Sequence, residues 1–349
     1  MGFDRQEELV SFAIIDAAGG AEARACGCTG RSRYLTPIAN VPLIYHVFDE
    51  LAAGGIDRVH VIVSPAARQE LERALGSGRE WGVEVAYTTA PEDDGRVAAL
   101  AELERAIGTQ PALFYPGDCL FPGRVSAMWE RFRAGDVDAV VLGSRNGGGR
   151  PGLTGAAGRS SRVSSAPAIV GPHAAPIIDG LRNARVDHQD LGDWLLTSDC
   201  RVAVCELGGH WRYSEETDDL LSANRMMLDA LPVPAFDGSF GDNNVVHGRV
   251  AISSSARVSG CVLHGPVAVG DNAVLEDSFI GPFTAIGSGA RVSGAEIDNT
   301  MVLSAAEISH PGHRIEASII GEQASVVRSF ALPRGIHLRL EPHSRVTLS

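Results

Sequence analysis

The stretch AIIDAAGGAEARACGCTGRSRYLTPIANVP, from Ala13 to Pro42, decides the fold of this chain. The short apolar run Phe12–Ile15 leads into it, and the paired glycines Gly19 and Gly20 follow, before a loop of small residues. A buried strand followed by two glycines is typical of a phosphate-binding loop, because glycine lets backbone N–H groups approach an anion closely. The pattern predicts such a loop at the end of the first strand, although two glycines alone have low specificity.

Outward from this stretch, apolar runs alternate with amphipathic segments. Strands are predicted at Phe12–Ile15, Val59–Val63 and Val83–Tyr87, with helices at Leu43–Gly54 and Arg68–Leu75 between them. Strands and helices that alternate with short connections indicate βαβ units and a mostly parallel sheet. The first part of the chain is therefore predicted to be a Rossmann-like α/β domain.

The same pattern continues to a clear boundary. After a helix at Val97–Ile107, the strand Ala112–Pro116 ends in Gly117-Asp118, and the carboxyl edge of such a sheet is where α/β proteins bind ligands. Residues 144–165 are rich in Gly, Ser and Arg, which predicts a loop or a frayed hairpin. Further elements are predicted at Ala139–Leu142, Asp187–Thr197, Val202–Leu207 and Thr217–Leu231, and a proline follows Leu231.

Beyond Asn244 the apolar residues follow a six-residue repeat. They recur at Val246, Ile252 and Val258, and again at Val274, Ile280, Ile286 and Val292, with glycines at 270, 281 and 287. Apolar and small residues at fixed phases of a hexad indicate a left-handed parallel β-helix, with an irregular β-sandwich as the alternative. We therefore predict two domains, residues 1–235 and residues 236–349.

Composition excludes several classes of partner. The formal net charge of −13 argues against nucleic acid or an anionic membrane as the main partner. No apolar run approaches the roughly 18 residues of a membrane span, and Met1 to Leu9 is too polar for a signal peptide. The six scattered cysteines fit buried or incidental thiols in a reducing cytoplasm, where we expect the protein. All 30 basic residues are arginines, so no step that needs a lysine is available to this chain.

With the phrase Pro37-Ile-Ala-Asn-Val-Pro42, the glycine loop resembles the sugar-1-phosphate nucleotidylyltransferases, specifically long-form glucose-1-phosphate thymidylyltransferase. The family loop reads GGxGTRL, and a PK pair and a phrase like LIPVANKP follow it. Gly19, Gly20 and Arg24 match this pattern. The resemblance extends through the hexad repeats to the C-terminal tail, from about Phe12 to the end.

The loop also departs from the family pattern. The second loop glycine falls on Glu22, the threonine on Ala23 and the signature lysine on Arg33. A carboxylate in a phosphate-binding loop repels a triphosphate, because like charges repel strongly in a site of low dielectric. The resemblance gives Arg24 the role of gripping the β- and γ-phosphates, and Arg33 is still able to bind phosphate.

In the family, a sugar-1-phosphate oxygen attacks the α-phosphate of a nucleoside triphosphate in line, with Mg²⁺ held by two aspartates. The first aspartate matches Asp118, in Pro116-Gly117-Asp118-Cys119. The second falls on Tyr213, and a phenol with a pKa near 10 is a poor Mg²⁺ ligand at neutral pH. Glu215 and Glu216 are close by and would reach a metal only after a shift of the loop.

Substrate-binding positions show further departures. The base-reading glutamine falls on Ala90, and only Gly95 of that stretch matches. The lysine that holds the sugar phosphate falls near Val163–Pro167, which has no basic residue. The sugar-binding glutamate falls on Asp187, which is one methylene shorter. Because single groups of this kind are often worth about 3 kcal/mol of transition-state stabilisation, their combined loss predicts a non-catalytic protein.

Three functions stay open at this point. The first is a pseudoenzyme that binds a nucleotide or sugar phosphate, regulates, or assembles with others, and has no cofactor. The second is an active sugar-1-phosphate nucleotidylyltransferase with an altered site, which would need Mg²⁺ and would use Arg24, Asp118 and Asp187. The third is an acyltransferase in which His264 of the β-helix is the base. A β-helix also favours a homo-oligomer, or a hetero-oligomer with a related protein.

Overall fold

The computed structural model describes residues 12–19, 32–91, 95–107, 110–143, 166–183, 191–206, 209–214, 216–231 and 243–328. Within these ranges, no helix combines the length and the apolar character that crossing a membrane requires.

The first part of the chain is an α/β domain. Its strands are β1 Phe12–Ala17, β2 Pro37–Ile38, β3 Val41–Pro42, β4 Arg58–Val63, β5 Glu84–Thr89, β6 Ala112–Pro116, β7 Cys119–Leu120, β8 Ala139–Gly143, β9 Ala168–Val170, β10 Val202–Glu206 and β11 Trp211–Arg212. Its helices are α1 Leu43–Ala53, α2 Arg68–Leu75, α3 Gly95–Ile107, α4 Arg124–Arg133, α5 Ala175–Asn183, α6 Leu191–Thr197 and α7 Thr217–Asp229, and short 3₁₀ turns lie at Arg33–Leu35, Arg79–Trp81 and Pro172–Ala174.

Seven of these strands form the central sheet, in the order β10-β8-β9-β6-β1-β4-β5. All are parallel except β9, which pairs antiparallel with β6 and β8. The central strand β1 is apolar on both faces because helices cover both sides of the sheet. Ile15 packs with α1, α2 and α4, whereas Ile14 packs with α3, α5 and α6. The predicted mostly parallel α/β sheet is confirmed.

Some elements differ from the sequence prediction. Helix α6 begins at Leu191, and the preceding part of the predicted helix lies outside the described residues, as does segment 144–165. Helices α4 and α5 and the antiparallel strand β9 were not predicted. The signal for α4 was present, since Val125, Met128 and Trp129 recur at helical spacing and are buried.

The second part is the predicted left-handed parallel β-helix. Its strands are β12 Val245–His247, β13 Val250–Ile252, β14 Arg257–Ser259, β15 Val262–His264, β16 Val267–Val269, β17 Val274–Glu276, β18 Phe279–Ile280, β19 Thr284–Ile286, β20 Arg291–Ser293, β21 Glu296–Asp298, β22 Met301–Val302, β23 Glu307–Ser309, β24 Ile315–Glu316, β25 Ile319–Ile320 and β26 Ser325–Val327. They form three five-stranded parallel sheets, one on each side of the coil: β12-β15-β18-β21-β24, β13-β16-β19-β22-β25 and β14-β17-β20-β23-β26.

One position of the predicted hexad pattern was wrong. Leu275 is fully buried in the interior of the β-helix, whereas Val274 beside it is only half-buried. Strand pairing shows why, because Leu263 lies over Ile280 and Ile280 over Ile297, residues 17 apart. A coil of 17 residues consists of two steps of six and one of five, so a strict six-residue repeat loses its phase once in each coil of this length.

The β-helix docks against α7 and against the turn between β2 and β3. Asn40 Nδ2 donates to the carbonyls of Ala268, at 3.2 Å, and Ile286, at 2.8 Å. The side chain of Asn224 is fully buried, donates to the carbonyl of Phe283 at 2.9 Å and accepts from the N–H of Ala39 at 3.0 Å. One sheet of the β-helix is thus fixed to the α/β domain. The predicted boundary at residue 235 lies outside the described residues.

Candidate functional site

The site lies where β1 and β6 end side by side at the carboxyl edge of the sheet. The N–H of Gly117, directly after β6, donates to the carbonyl of Asp16 at the end of β1 across 2.9 Å. A Cβ at position 117 would lie 3.0 Å from that carbonyl oxygen and 3.0 Å from Ile15 Cγ2, so only glycine fits without a shift. This close approach places Asp118, whose side chain is 8% exposed, beside the end of β1.

Strands β7 and β11 bring Asp118 and Tyr213 together. The two short strands pair antiparallel, with Cys119 opposite Arg212. The N–H of Tyr213 donates to the carbonyl of Asp118 across 2.8 Å. The two positions to which the resemblance assigns metal-holding aspartates are therefore neighbours, and one of them carries a phenol.

Two guanidinium groups surround the carboxylate of Asp118. Arg33 Nη2 lies 3.1 Å from Asp118 Oδ2, and Arg212 Nε lies 3.6 Å from the same oxygen. Arg33 Nη2 also donates to the Tyr34 hydroxyl at 3.3 Å, and that hydroxyl donates to the Gly19 carbonyl at 3.0 Å. We call these five residues, Gly19, Arg33, Tyr34, Asp118 and Arg212, the Arg33 cluster.

The surroundings keep Arg33 protonated and Tyr34 neutral. Burial alone would lower the pKa of Arg33, but Tyr34, Asp118 and Asp16 raise it, and the net change is upward. Burial, supported by Asp118 and Asp16, raises the pKa of Tyr34 well above its ordinary value despite the opposing charge of Arg33. The Tyr34 hydroxyl therefore stays protonated at neutral pH and keeps its bond to Gly19.

The opposite oxygen of Asp118 faces a thiol. Cys119 Sγ lies 3.5 Å from Asp118 Oδ1. Burial, with the carboxylate of Asp118 as the next cause, raises the pKa of Cys119 well above its ordinary value. The thiol is therefore a neutral, weak donor to the carboxylate.

A divalent cation does not fit this arrangement. Magnesium takes about six oxygen ligands in a near-octahedral set, and an arginine supplies none. One oxygen of Asp118 is occupied by two guanidinium groups, and the neighbouring Tyr213 supplies a phenol where the family has a carboxylate. Within the described ranges, no group of three or more His, Cys, Asp or Glu side chains is placed to hold a metal.

The other predicted site residues are distributed as follows. Gly19 lies in the Arg33 cluster, where a Cβ would come within 2.9 Å of Arg33 Nη2. Gly95 begins α3, and Ala90, at the base-reading position, is buried at the end of β5. Gly20, Arg24 and Asp187 lie outside the described residues, as do Glu22, Ala23 and Glu215.

Two members of the Arg33 cluster were missed by the sequence analysis. Tyr34 follows Arg33 directly and is 2% exposed, and Arg212 directly precedes the position of the second aspartate. Arg212 could have been noticed because it is a basic residue directly before Tyr213, the position that aligns with the family's second metal-holding aspartate. Its role depends on the pairing of β7 with β11, which the sequence pattern did not reveal.

His264, the predicted acyltransferase base, lies on β15 at the outer face of the β-helix. Its ring packs edge-on against His247, with centroids 4.9 Å apart, and against Phe279 at 5.4 Å. The side chain is exposed. These ring contacts give His264 a structural role on the surface of the β-helix. Among the described residues, no observation at this position favours catalysis.

Comparison with known proteins finds one family model for the first part of the chain and relatives that align over nearly all of it. Residues 18–146 match the nucleotidyl transferase family. The glucose-1-phosphate thymidylyltransferase of Streptomyces antibioticus is 26% identical and that of Streptomyces griseus 27%, and each alignment covers 95% of this chain and 98% of the relative. A low-salt glycan biosynthesis nucleotidyltransferase of Haloferax volcanii is 24% identical, over 96% of this chain and 99% of that protein.

A solved structure supports the fold of the first part. A Bacillus anthracis structure assigned to glucose-1-phosphate thymidylyltransferase superimposes with a TM-score of 0.52 at 22% identity, and covers 66% of this chain and 98% of that one. The near-complete alignments with the Streptomyces enzymes include the β-helix as well as the α/β domain. The chain therefore contains a nucleotidyl transferase domain, and its similarity to the glucose-1-phosphate thymidylyltransferases extends over nearly its whole length, including the left-handed β-helix.

Proposed function

We propose that this protein is a non-catalytic member of its family, which binds a nucleotide or a sugar phosphate at the carboxyl edge of the sheet. The observation that carries the proposal is the position of Tyr213, hydrogen-bonded through its backbone to Asp118 at 2.8 Å. Nucleotidyl transfer needs dense positive charge around the phosphates, which the family obtains from Mg²⁺ between two carboxylates. A phenol leaves that pair incomplete.

The absence of lysine from the chain adds to this reasoning. Two lysines of the family contact phosphate. The position of the first carries Arg33 in this chain, and the position of the second falls in Val163–Pro167, which has no basic residue. Arginine is bulkier, planar and always charged, so it holds a phosphate differently from a lysine ammonium. Loss of one such group often costs about 3 kcal/mol, or a hundredfold in rate, and several are lost together.

The proposed role is therefore ligand binding, regulation or assembly. Gly19 and Arg33 still lie together at the edge where the family binds phosphates, which supports a phosphorylated ligand. In the described part of the chain, hydrogen bonds to α7 and to the β2–β3 turn come from the sheet that contains β16 and β19 and from an adjoining turn. The other two sheets are the surfaces that we propose contact a second copy or a related, active protein. Size-exclusion chromatography with light scattering, alone and with such a relative, would measure that assembly.

The alternative is an active sugar-1-phosphate nucleotidylyltransferase with an altered site. The observation that favours it is the alignment with the Streptomyces thymidylyltransferases, which covers 95% of this chain and 98% of each relative. In that case Asp118 would hold the metal that the family typically requires, and the guanidinium groups would have to move away from it.

Pyrophosphate release distinguishes the two functions. The purified chain is incubated with Mg²⁺, a panel of sugar-1-phosphates and each nucleoside triphosphate, and thermal denaturation is followed in parallel, because a ligand of the folded state raises the melting temperature. We expect no turnover and a ligand-dependent rise in Tm. Turnover that is abolished by Asp118→Ala, and retained by Glu276→Ala on the exposed face of the β-helix, would overturn the proposal.

A further inference from the structure

The carboxylate of Asp118 already has its counter-charges within the protein. Arg33 Nη2 and Arg212 Nε approach the same oxygen, Oδ2, at 3.1 Å and 3.6 Å. The side chain of Asp118 is 8% exposed and that of Arg33 21%, whereas Arg212 is 43% exposed. Arg33 therefore makes the well-shielded contact, and Arg212 covers the same oxygen from the solvent side.

Charged side chains of both signs lie together here. Among the described residues, Asp16 and Asp118 are the carboxylates that raise the pKa of Arg33, and Arg33 and Arg212 are the guanidinium groups beside Asp118. A divalent cation beside Asp118 would meet two fixed positive charges that cannot lose their protons, since arginine does not titrate in proteins. It would also have to replace the existing ion pairs with its own oxygen ligands.

We propose that Arg33 and Arg212 take the place of the divalent cation beside Asp118, so that this site binds no Mg²⁺ or Mn²⁺. The inference is consistent with the proposed non-catalytic function but is tested independently of it, without nucleotide or sugar phosphate. The carboxylate that holds metal elsewhere in the family is, in this chain, part of an internal ion pair that fixes the edge of the sheet.

Mn²⁺ binding to the full-length protein, measured by the electron paramagnetic resonance signal of free Mn²⁺, tests the proposal. We expect wild type and Asp118→Asn to leave the same concentration of free Mn²⁺. A site of one Mn²⁺ per chain in wild type that is lost in Asp118→Asn would overturn the proposal. This comparison does not depend on turnover, so its outcome is separable from that of the proposed function.

A second measurement asks whether the guanidinium groups are what excludes the cation. In Arg33→Gln/Arg212→Gln the two carboxylates lose their counter-charges, and we expect Mn²⁺ to bind at least tenfold more tightly than to wild type. Adding Asp118→Asn should remove that gain. The control Arg257→Gln/Arg291→Gln removes the same net charge from exposed positions of the β-helix. An equal gain in this control, or no gain in the first variant, would contradict the assignment.

Discussion

The hydroxyl of Tyr34 donates a hydrogen bond to the carbonyl of Gly19 across 3.0 Å and also accepts one from Arg33 at 3.3 Å. Tyr34 is 2% exposed, so this hydroxyl has no alternative partner in bulk water. It connects the end of the first strand to the arginine that neutralises Asp118. The Arg33 cluster is therefore held by a neutral hydroxyl as well as by charges.

We expect Tyr34→Phe to destabilise the protein by about 1–3 kcal/mol, because the partly buried Gly19 carbonyl and Arg33 N–H group lose the buried hydroxyl as a partner. Tyr87→Phe is the matched control: its hydroxyl also donates to a glycine carbonyl, that of Gly76 at 2.8 Å, but at an exposed position. Urea denaturation of both variants measures the difference. Equal decreases in the free energy of unfolding of the two variants would show that the hydrogen bond of Tyr34 contributes no more than an exposed one.

The ion pair of Arg33 and Asp118 should show energetic coupling. In a double-mutant cycle of Arg33→Gln and Asp118→Asn, we expect a coupling energy of about 1–3 kcal/mol, because removal of either partner takes from a shielded charge its nearest counter-charge. The exposed pair Arg68 and Glu72, 2.7 Å apart, should give only about 0.3–0.5 kcal/mol. Comparable coupling in both cycles would contradict the shielding of the first pair.

The contact between the two domains depends on Asn224. Asn224→Ala removes the donor to the Phe283 carbonyl and the acceptor for the Ala39 N–H, so both backbone groups lose this partner, and we expect a loss of about 1–3 kcal/mol. Asn243→Ala, in which only an exposed contact to Ser259 is lost, serves as the control and should change stability by less than about 0.5 kcal/mol. Thermal denaturation measures both, and an unchanged Tm in Asn224→Ala would contradict the described docking.

The register of the β-helix is tested at two adjacent residues. Leu275→Ala should cost about 2–5 kcal/mol, because it leaves a cavity in the interior of the coil. Val274→Ala, at the half-buried neighbour, should cost about 1 kcal/mol or less. The reverse order of the two losses would favour the strict six-residue repeat over the coil of 17 residues.

Stability should fall below neutral pH because of His46. Burial lowers the pKa of His46 against the smaller opposing effects of its bond to the Ile38 carbonyl, at 2.9 Å, and of Asp49. The unfolded chain, with a histidine pKa of about 6.5, binds the proton more readily, so stability is full above that pH and falls as the pH decreases toward the lower pKa of the folded state. His46→Gln should reduce this dependence, and His313→Gln, at an exposed position, should not. Urea denaturation between pH 7.5 and about 5 measures it; identical profiles for wild type and His46→Gln would contradict the role of His46.

The architecture was predicted well from the sequence, because the spacing of apolar residues along the chain indicates which segments form strands, helices and coils of the β-helix. Ile14 and Ile15 belong to one apolar run and are buried on opposite faces of the sheet, as a central parallel strand requires. The β-helix followed from spacing alone, and the error of Val274 in place of Leu275 arose because the coil that contains them has 17 residues and not 18.

The site was less predictable. The positions of Gly19, Arg33 and Asp118 were identified from the family resemblance, and the structure brings them together. The ion pairs with Asp118 were not predicted, because they depend on the pairing of two-residue strands far apart in the sequence and on the rotamer of a long side chain. Arg212 acquires its position only through the strand pairing opposite Cys119.

The turn at Ala39 and Asn40 limits how this protein can be divided or recombined. Asn40 reaches the carbonyls of two successive coils, at Ala268 and Ile286, and lies only a few residues after Arg33. If the β-helix of a relative replaced this one, it would have to place two carbonyl oxygens at the positions now occupied by those of Ala268 and Ile286 in order to bind Asn40. The β-helix is thus joined to the α/β domain through a turn that lies close in the sequence to Arg33, and a change in the coils at Ala268 and Ile286 would act on that turn.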